Sequence, residues 1–344
     1  MNQNWWMRSR AGLRVFGWCC VLVIGFSNVG HAQEKSPAET GSEGPAVIEG
    51  SAVIDGLVVV GAGGTEEYAN TFLEWADDWL SVSKTAGLEF RKIGPTETDY
   101  DTLKQLLEEQ EQTDSPRPLW LILIGHGTWD GKVANFNLSG KDVSAKTLSS
   151  WLRWAKRPIC IVNTASSSGP FINRLSGKNR VIVTATKSGS EQNFARFGGY
   201  FVKAFRDANA DLDHDDAVSV REAFIKATAE LKRFYETESR IMTEHALLDD
   251  NGDERGSDAS LIRARALPKD PLTLDGQLAS RVTIATGAES IRLSDEAMAK
   301  RDDLEAQLRA IQRNGWSVEQ VREKALPLLK ELAKLYQQAE SDSN

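Results

Sequence analysis

The chain has 344 residues, 41% of them hydrophobic and 26% charged, which suits a soluble globular protein and excludes a low-complexity or fibrous chain. Its formal charge is −8. That acidity argues against a nucleic-acid partner, because neutralising phosphates needs a surplus of Lys and Arg.

At the N-terminus, Arg8, Arg10 and Arg14 precede an apolar run from Val15 to Phe26, and Gly30-His31-Ala32 supplies a cleavage site. This pattern predicts a secretory signal peptide over 1–32 and export to a periplasmic or extracellular compartment. The apolar run is short of the ~20 residues a span needs, so no membrane span is expected after cleavage. Cleavage removes three Arg and no acid, so 41 basic residues become 38 against 49 acidic ones, and the charge moves from −8 to −11. Cys19 and Cys20 leave with the leader; Cys160 alone remains, so no internal disulfide is expected. Residues 33–52, rich in Glu, Ser, Gly and Pro, read as a flexible linker.

Over 53–265, apolar runs alternate with helical periodicity. Leu57–Val60 is a strand ended by Gly61-Ala62-Gly63-Gly64, and Tyr68, Phe72, Trp75, Ala76 and Trp79 recur at helical spacing. Leu88–Ile93 is a second strand; Tyr100, Leu103, Leu106 and Leu107 mark a second helix. Leu119–Ile124 is a third strand, Val143–Trp154 a helix with Ser144 as N-cap, Ile159–Val162 a fourth strand, Arg180–Thr186 a fifth and Phe197–Asp207 a helix. Repeated βα units predict an α/β fold, a mostly parallel sheet flanked by helices. A connector over 266–294 leads to a helical tail over 295–340. There Leu304, Leu308 and Ile311 share one face, as do Val321, Leu328, Leu332 and Leu335, with Asn314-Gly315 between. This predicts a C-terminal helical hairpin of coiled-coil type, a surface for oligomerisation or a partner, although Pro327 interrupts its second helix.

Two strand ends carry the candidate chemistry. Leu119–Ile124 runs into Gly125-His126-Gly127, and Ile159–Val162 runs into Asn163-Thr164-Ala165-Ser166-Ser167-Ser168-Gly169. Buried parallel strands deliver their last residues to the carboxyl edge of the sheet, where α/β proteins place ligands. An imidazole and a hydroxyl there can form a base–nucleophile pair.

This pair of strand ends resembles the caspase-like cysteine peptidases: caspases, metacaspases, legumains and gingipains. In these, an apolar strand ending in His-Gly is followed by a second ending in a short Cys-containing motif. The resemblance covers roughly residues 57 to 207. It implies His126 as catalytic base, the Gly127 backbone N–H as oxyanion donor, and a peptide or protein ligand in the cleft. The departure is at the nucleophile. The metacaspase and legumain register puts it at Ser166 and the caspase register at Ser167, and neither is Cys. Cys160, six residues earlier on its strand, lies over ~10 Å from the carboxyl edge and reads as a core residue. A Ser hydroxyl is far less acidic than a thiol and needs a base, an orienting partner and a prepared oxyanion site. Asp130 is a candidate to orient His126; Asn163 and Thr164 are candidates to hold it without chemistry.

A second constellation, Asp211 to Glu222, resembles the EF-hand calcium loop. Asp211, Asp213, Asp215, the Ala217 carbonyl, Ser219 and Glu222 fall at the ligand positions, and Val218 is the usual apolar residue. Asp216 stands where the loop favours Gly. Ca²⁺ is therefore the one cofactor expected; the alternative is an acidic cluster at a helix N-terminus. Leu248-Asp249-Asp250-Asn251-Gly252-Asp253 reads as a solvated acidic turn, and Gly61–Gly64, without a third Gly at position 66, as a turn rather than a dinucleotide fingerprint.

Three functions compete: an exported pseudopeptidase acting as a peptide-binding or regulatory module; an active endopeptidase or esterase using Ser166 or Ser167 with His126; and a calcium-stabilised, envelope-associated structural protein. No Gly-x-Ser-x-Gly elbow supports an α/β-hydrolase.

Overall fold

The computed structural model describes residues 54–111, 113, 115–212, 217–263, 275–285, 293–313 and 316–343. The leader, the linker, Asp213 to Asp216 and parts of the connector lie outside these. The elements in chain order are β1 (Gly56–Val60), α1 (Glu66–Thr85), β2 (Phe90–Ile93), α2 (Asp99–Gln110), β3 (Leu119–Ile124), β4 (Gly127–Trp129), β5 (Ala134–Phe136) and β6 (Val143–Ser144). There follow α3 (Ala145–Trp151), β7 (Ile159–Asn163), α4 (Ile172–Leu175), β8 (Arg180–Thr184), α5 (Phe197–Ala204), β9 (Ala217–Ser219) and α6 (Val220–Thr237). β10 (Leu247–Asp249), α7 (Ala259–Arg263), β11 (Thr283–Ala285), α8 (Asp295–Arg313) and α9 (Val318–Ser343) complete the chain.

The six-stranded sheet has the order β10-β8-β7-β3-β1-β2. All neighbours are parallel except β10, which runs antiparallel to β8 with Leu247 opposite Thr184. The fold is thus α/β, a mostly parallel sheet with helices on both faces. Alternation along the strands sorts the core. Val58, Val60, Trp120, Ile122, Ile124, Val162 and Val183 join Phe72, Trp79, Phe201 and Phe224 on one face. Leu57, Val59, Leu121, Leu123, Ile161 and Ile182 join Leu103, Leu107, Leu148 and Leu175 on the other. Two-sided burial is why these strands read as continuous apolar runs. Cys160 is one of these core residues, fully buried, and its burial pushes the thiol up. In the tail, α8 packs on α9, burying Leu304, Ile311 and Leu335. Among the described residues no helix is long and apolar enough to cross a membrane.

Three local expectations change. The segment from Val143 begins with the two-residue β6 before Ser144 caps α3, its hydroxyl accepting from Thr147 N–H at 3.0 Å. β4, β5 and β6 form a small antiparallel sheet that grows directly out of the His-Gly strand end. The acidic turn after Leu248 is solvated only in its second half: Asp249 and Asp250 are buried, while Gly252 and Asp253 are exposed. Asp250 accepts from Gly276 N–H at 2.8 Å and Ala279 N–H at 2.7 Å, capping the 276–281 turn. Asp275 accepts from Asp250 N–H at 3.1 Å and the Ser257 hydroxyl at 2.6 Å. Asp249 accepts from Gly252 N–H at 3.3 Å through one oxygen. These carboxylates stitch the edge strand to the segment that leads to β11.

Burial pushes the Asp275 carboxyl up to about 7, and the neighbouring Asp250 and Asp249 add repulsion; burial raises those two as well, with Arg221 opposing it at Asp250. Unfolded, Asp275 ionises near 3.8. The folded state therefore holds its proton more tightly. This contribution to stability is complete below pH ~4, declines as pH rises, and is gone above pH ~7. Urea unfolding is expected to give a free energy that falls between pH 4 and pH 8. The Asp275→Asn variant should show a shallower slope over that window.

Candidate functional site

β3 and β7 are neighbours, with Leu123 opposite Asn163, so their carboxyl ends emerge side by side. His126 and the Ser166–Ser168 turn therefore share one rim of the sheet. The side chains do not pair as a base and a nucleophile. Gly127 N–H donates to Ser166 Oγ at 3.2 Å, and the Ser166 hydroxyl can donate to the Gly127 carbonyl at 3.2 Å. His126 Nε2 lies 3.2 Å from the carbonyl of Gly63, in the glycine loop after β1. A carbonyl only accepts, so Nε2–H is the donor in this contact. Tyr68, Phe72 and Phe194 surround the imidazole, with centroids at 5.1, 5.0 and 6.4 Å.

The three serines are buried, Ser166 being 3% exposed. Ser167 adopts the left-handed conformation (φ 54°), uncommon for a residue with a side chain. It is held there by its N–H to the Glu191 carbonyl at 2.8 Å and its hydroxyl to the Gly189 carbonyl at 2.9 Å. Ser168 pairs with the Thr186 hydroxyl at 3.1 Å. All three partners belong to the loop after β8, which closes over the turn. Trp129 of β4 then packs on that loop: a Cβ on Gly189 would lie 2.4 Å from the indole.

The other sequence candidates have different tasks. Asp130 accepts from Lys132 and Val133 N–H at 2.8 and 2.7 Å; these bonds lower its pKa and close the β4–β5 turn, so it does not orient His126. Thr164 donates to the Leu123 carbonyl and Asn163 accepts from Ala165 N–H, so neither holds the imidazole. In the calcium-like loop, Ser219 is the N-cap of α6, and Glu222 completes a capping box. Glu222 accepts from Ser219 N–H at 2.9 Å and from Leu212 N–H at 2.8 Å, fastening the two ends of the loop together. Asp211 and Ala217 flank the segment; Asp213 and Asp215 lie outside the described residues.

Sequence reasoning missed two parts of the rim. One is Gly63, in a loop that the sequence marks only as a turn. The other is a carboxylate–imidazole pair, Glu191 and His245, at 2.6 Å from Oε1 to Nδ1. Nothing in the local pattern at either residue could have joined them.

Gly127 can approach Ser166 only because it lacks a side chain: a Cβ there would lie 2.2 Å from the Ser166 carbonyl oxygen. Gly127→Ala should destabilise the protein by about 1–3 kcal/mol, read by urea unfolding.

No family model and no curated protein matches the chain. Among solved structures it is similar to the Drosophila initiator caspase Dronc, with 11% identity over 67% of this chain and 95% of that one, at a TM-score of 0.39. It is similar to caspase-1 from Spodoptera frugiperda, with 10% identity over 57% and 86% of the two chains and a TM-score of 0.39. A protein from Geobacter sulfurreducens gives 8% identity over 57% and 92%, again at 0.39.

Proposed function

We propose that the chain is a caspase-like peptidase-fold protein that has lost hydrolysis and acts by holding a peptide or protein segment at the carboxyl rim. One observation carries this reading. Ser166 Oγ, at the nucleophile position of the sequence pattern, is buried and engaged by the Gly127 main chain rather than by His126. The same bond occupies the Gly127 N–H that the resemblance would give to an oxyanion. A serine base–nucleophile pair needs the hydroxyl within hydrogen-bond reach of the imidazole and a free oxyanion donor. Here the donor points at the hydroxyl itself. The order of the strands and the shared rim support kinship in architecture, and the Ser for Cys exchange supports loss of turnover.

A serine-directed phosphonate probe is expected to leave Ser166 unlabelled, and peptide substrates to emerge intact. Labelling at Ser166 that disappears in His126→Ala would overturn the proposal and make the chain a serine hydrolase.

We further propose that the chain is exported, on its basic–apolar leader, and that the 211–222 loop takes Ca²⁺. The junction of β9 and α6 supports the second point, since Ser219 and Glu222 stand at the ninth and twelfth ligand positions, where the outgoing helix of such a loop begins. Calcium should raise the melting temperature, and Glu222→Gln should abolish the rise; identical melts with calcium and with chelator would reject the site.

A further inference from the structure

The amino rim of the sheet, at the opposite end of the strands from His126, carries a cleft of about 360 Å³. It lies between the end of α3, the turn after α4 and the first residues of β7 and β8. Six cations line it: Arg153, Lys156, Arg157, Arg174, Lys178 and Arg180. No Asp or Glu does. In a chain with 49 acids against 41 bases, this is a local reversal of charge.

We propose that this cleft binds a compact oligophosphate, a small molecule carrying two or more phosphate groups. The cations divide into two sets. Arg157 and Arg180 form the inner wall and are fixed by the fold. Arg157 donates to the carbonyls of Ile54, Arg117 and Pro118 at 2.9, 3.0 and 3.2 Å, and Arg180 to those of Leu152 and Leu175 at 2.7 and 2.9 Å. Carbonyl dipoles satisfy their hydrogen bonds without a contacting carboxylate; Asp55 offsets part of the charge of Arg157 from a distance, and Arg117 opposes it. Burial lowers the pKa of both guanidinium groups, consistent with charges held out of water without a carboxylate at contact distance. Arg153, Lys156, Arg174 and Lys178 are the outer set, exposed, and none of the six makes a salt bridge among the described residues.

Like charges gathered around one cavity repel, and an anion seated among them relieves the repulsion and gains attraction from each. Arg and Lys are also the side chains that suit phosphate oxygens. Ser149, Ser176 and Asn179 add polar groups to the lining, while Ile159 and Ala155 contribute little apolar surface, which disfavours a greasy ligand. The volume lies at the small end of the range for small-molecule sites. A long polyanion would extend beyond the cleft, and the chain as a whole is acidic, so a compact one fits better. Trp154, 68% exposed, stands between Arg153 and Lys156 and offers an optical reporter.

Titration of the full chain with sodium tripolyphosphate, followed by Trp fluorescence and calorimetry against sodium chloride at equal ionic strength, tests the proposal. Saturable one-site binding is expected, with affinity falling at least roughly tenfold in Arg174→Glu/Lys178→Glu and retained in Arg174→Lys/Lys178→Arg. Both outer residues are exposed, and circular dichroism checks that the variants fold. Arg153→Gln/Lys156→Gln, which adds no acid, gives a second reading and should also weaken binding. Absence of saturable binding, or binding unchanged in the folded charge-altered variants, would overturn the proposal. Binding to phosphatidylcholine vesicles containing phosphatidylglycerol, without binding to tripolyphosphate, would overturn it in favour of a lipid surface.

Discussion

The arrangement of the carboxyl rim depends on one close approach of two backbones. Gly127 meets the Ser166 turn so tightly that its N–H and carbonyl both reach the serine hydroxyl. The approach requires β3 and β7 to be adjacent and in register, and it requires glycine after the histidine. Once made, it engages the hydroxyl with the Gly127 main chain. The loop after β8 and Trp129 then cover the turn and complete its burial.

His126 belongs to a different neighbourhood from the serines. It is gripped by the glycine loop after β1 and by aromatic rings from α1 and the segment before α5. Its surroundings hold the imidazole in a defined orientation without any carboxylate partner among the described hydrogen bonds. The carboxylate-paired imidazole on this rim is instead His245, with Glu191. The rim thus separates groups that a hydrolytic triad would combine: one histidine is caged by rings, another is paired with acid, and the Ser166 hydroxyl bonds to main chain.

Most of the sheet was legible because β1, β3 and β7 are buried on both faces and read as apolar runs ending at small residues, whereas the edge strand β2 alternates buried Phe90 and Ile93 with Arg91 and Lys92. β10 was not, because three residues ending in an acid carry no such run, and its place beside β8 comes from tertiary pairing. The β4–β6 sheet was hidden for the same reason: its strands are two or three residues long. The positions of His126 and Ser166 could be read from strand ends, but their partners could not. Gly63 lies 63 residues before the histidine it holds, and Glu191 lies 54 residues before His245. The acidic turn at Asp249 was misread because a run of carboxylates looks solvated in sequence. The main-chain donors that make the burial of Asp250 tolerable come from Gly276 and Ala279, far along the chain.

The sealed position of Cys160 carries a practical consequence. Among the described residues it is the free cysteine, it lies within the sheet, and its sulfur has no access to solvent. Thiol reagents, oxidants and heavy-atom compounds that attack thiolate would pass over the native body of this protein. In the chain without residues 1–32, which carry Cys19 and Cys20, a cysteine introduced on either rim would then respond against a silent background, giving spectroscopists one chosen atom to tag.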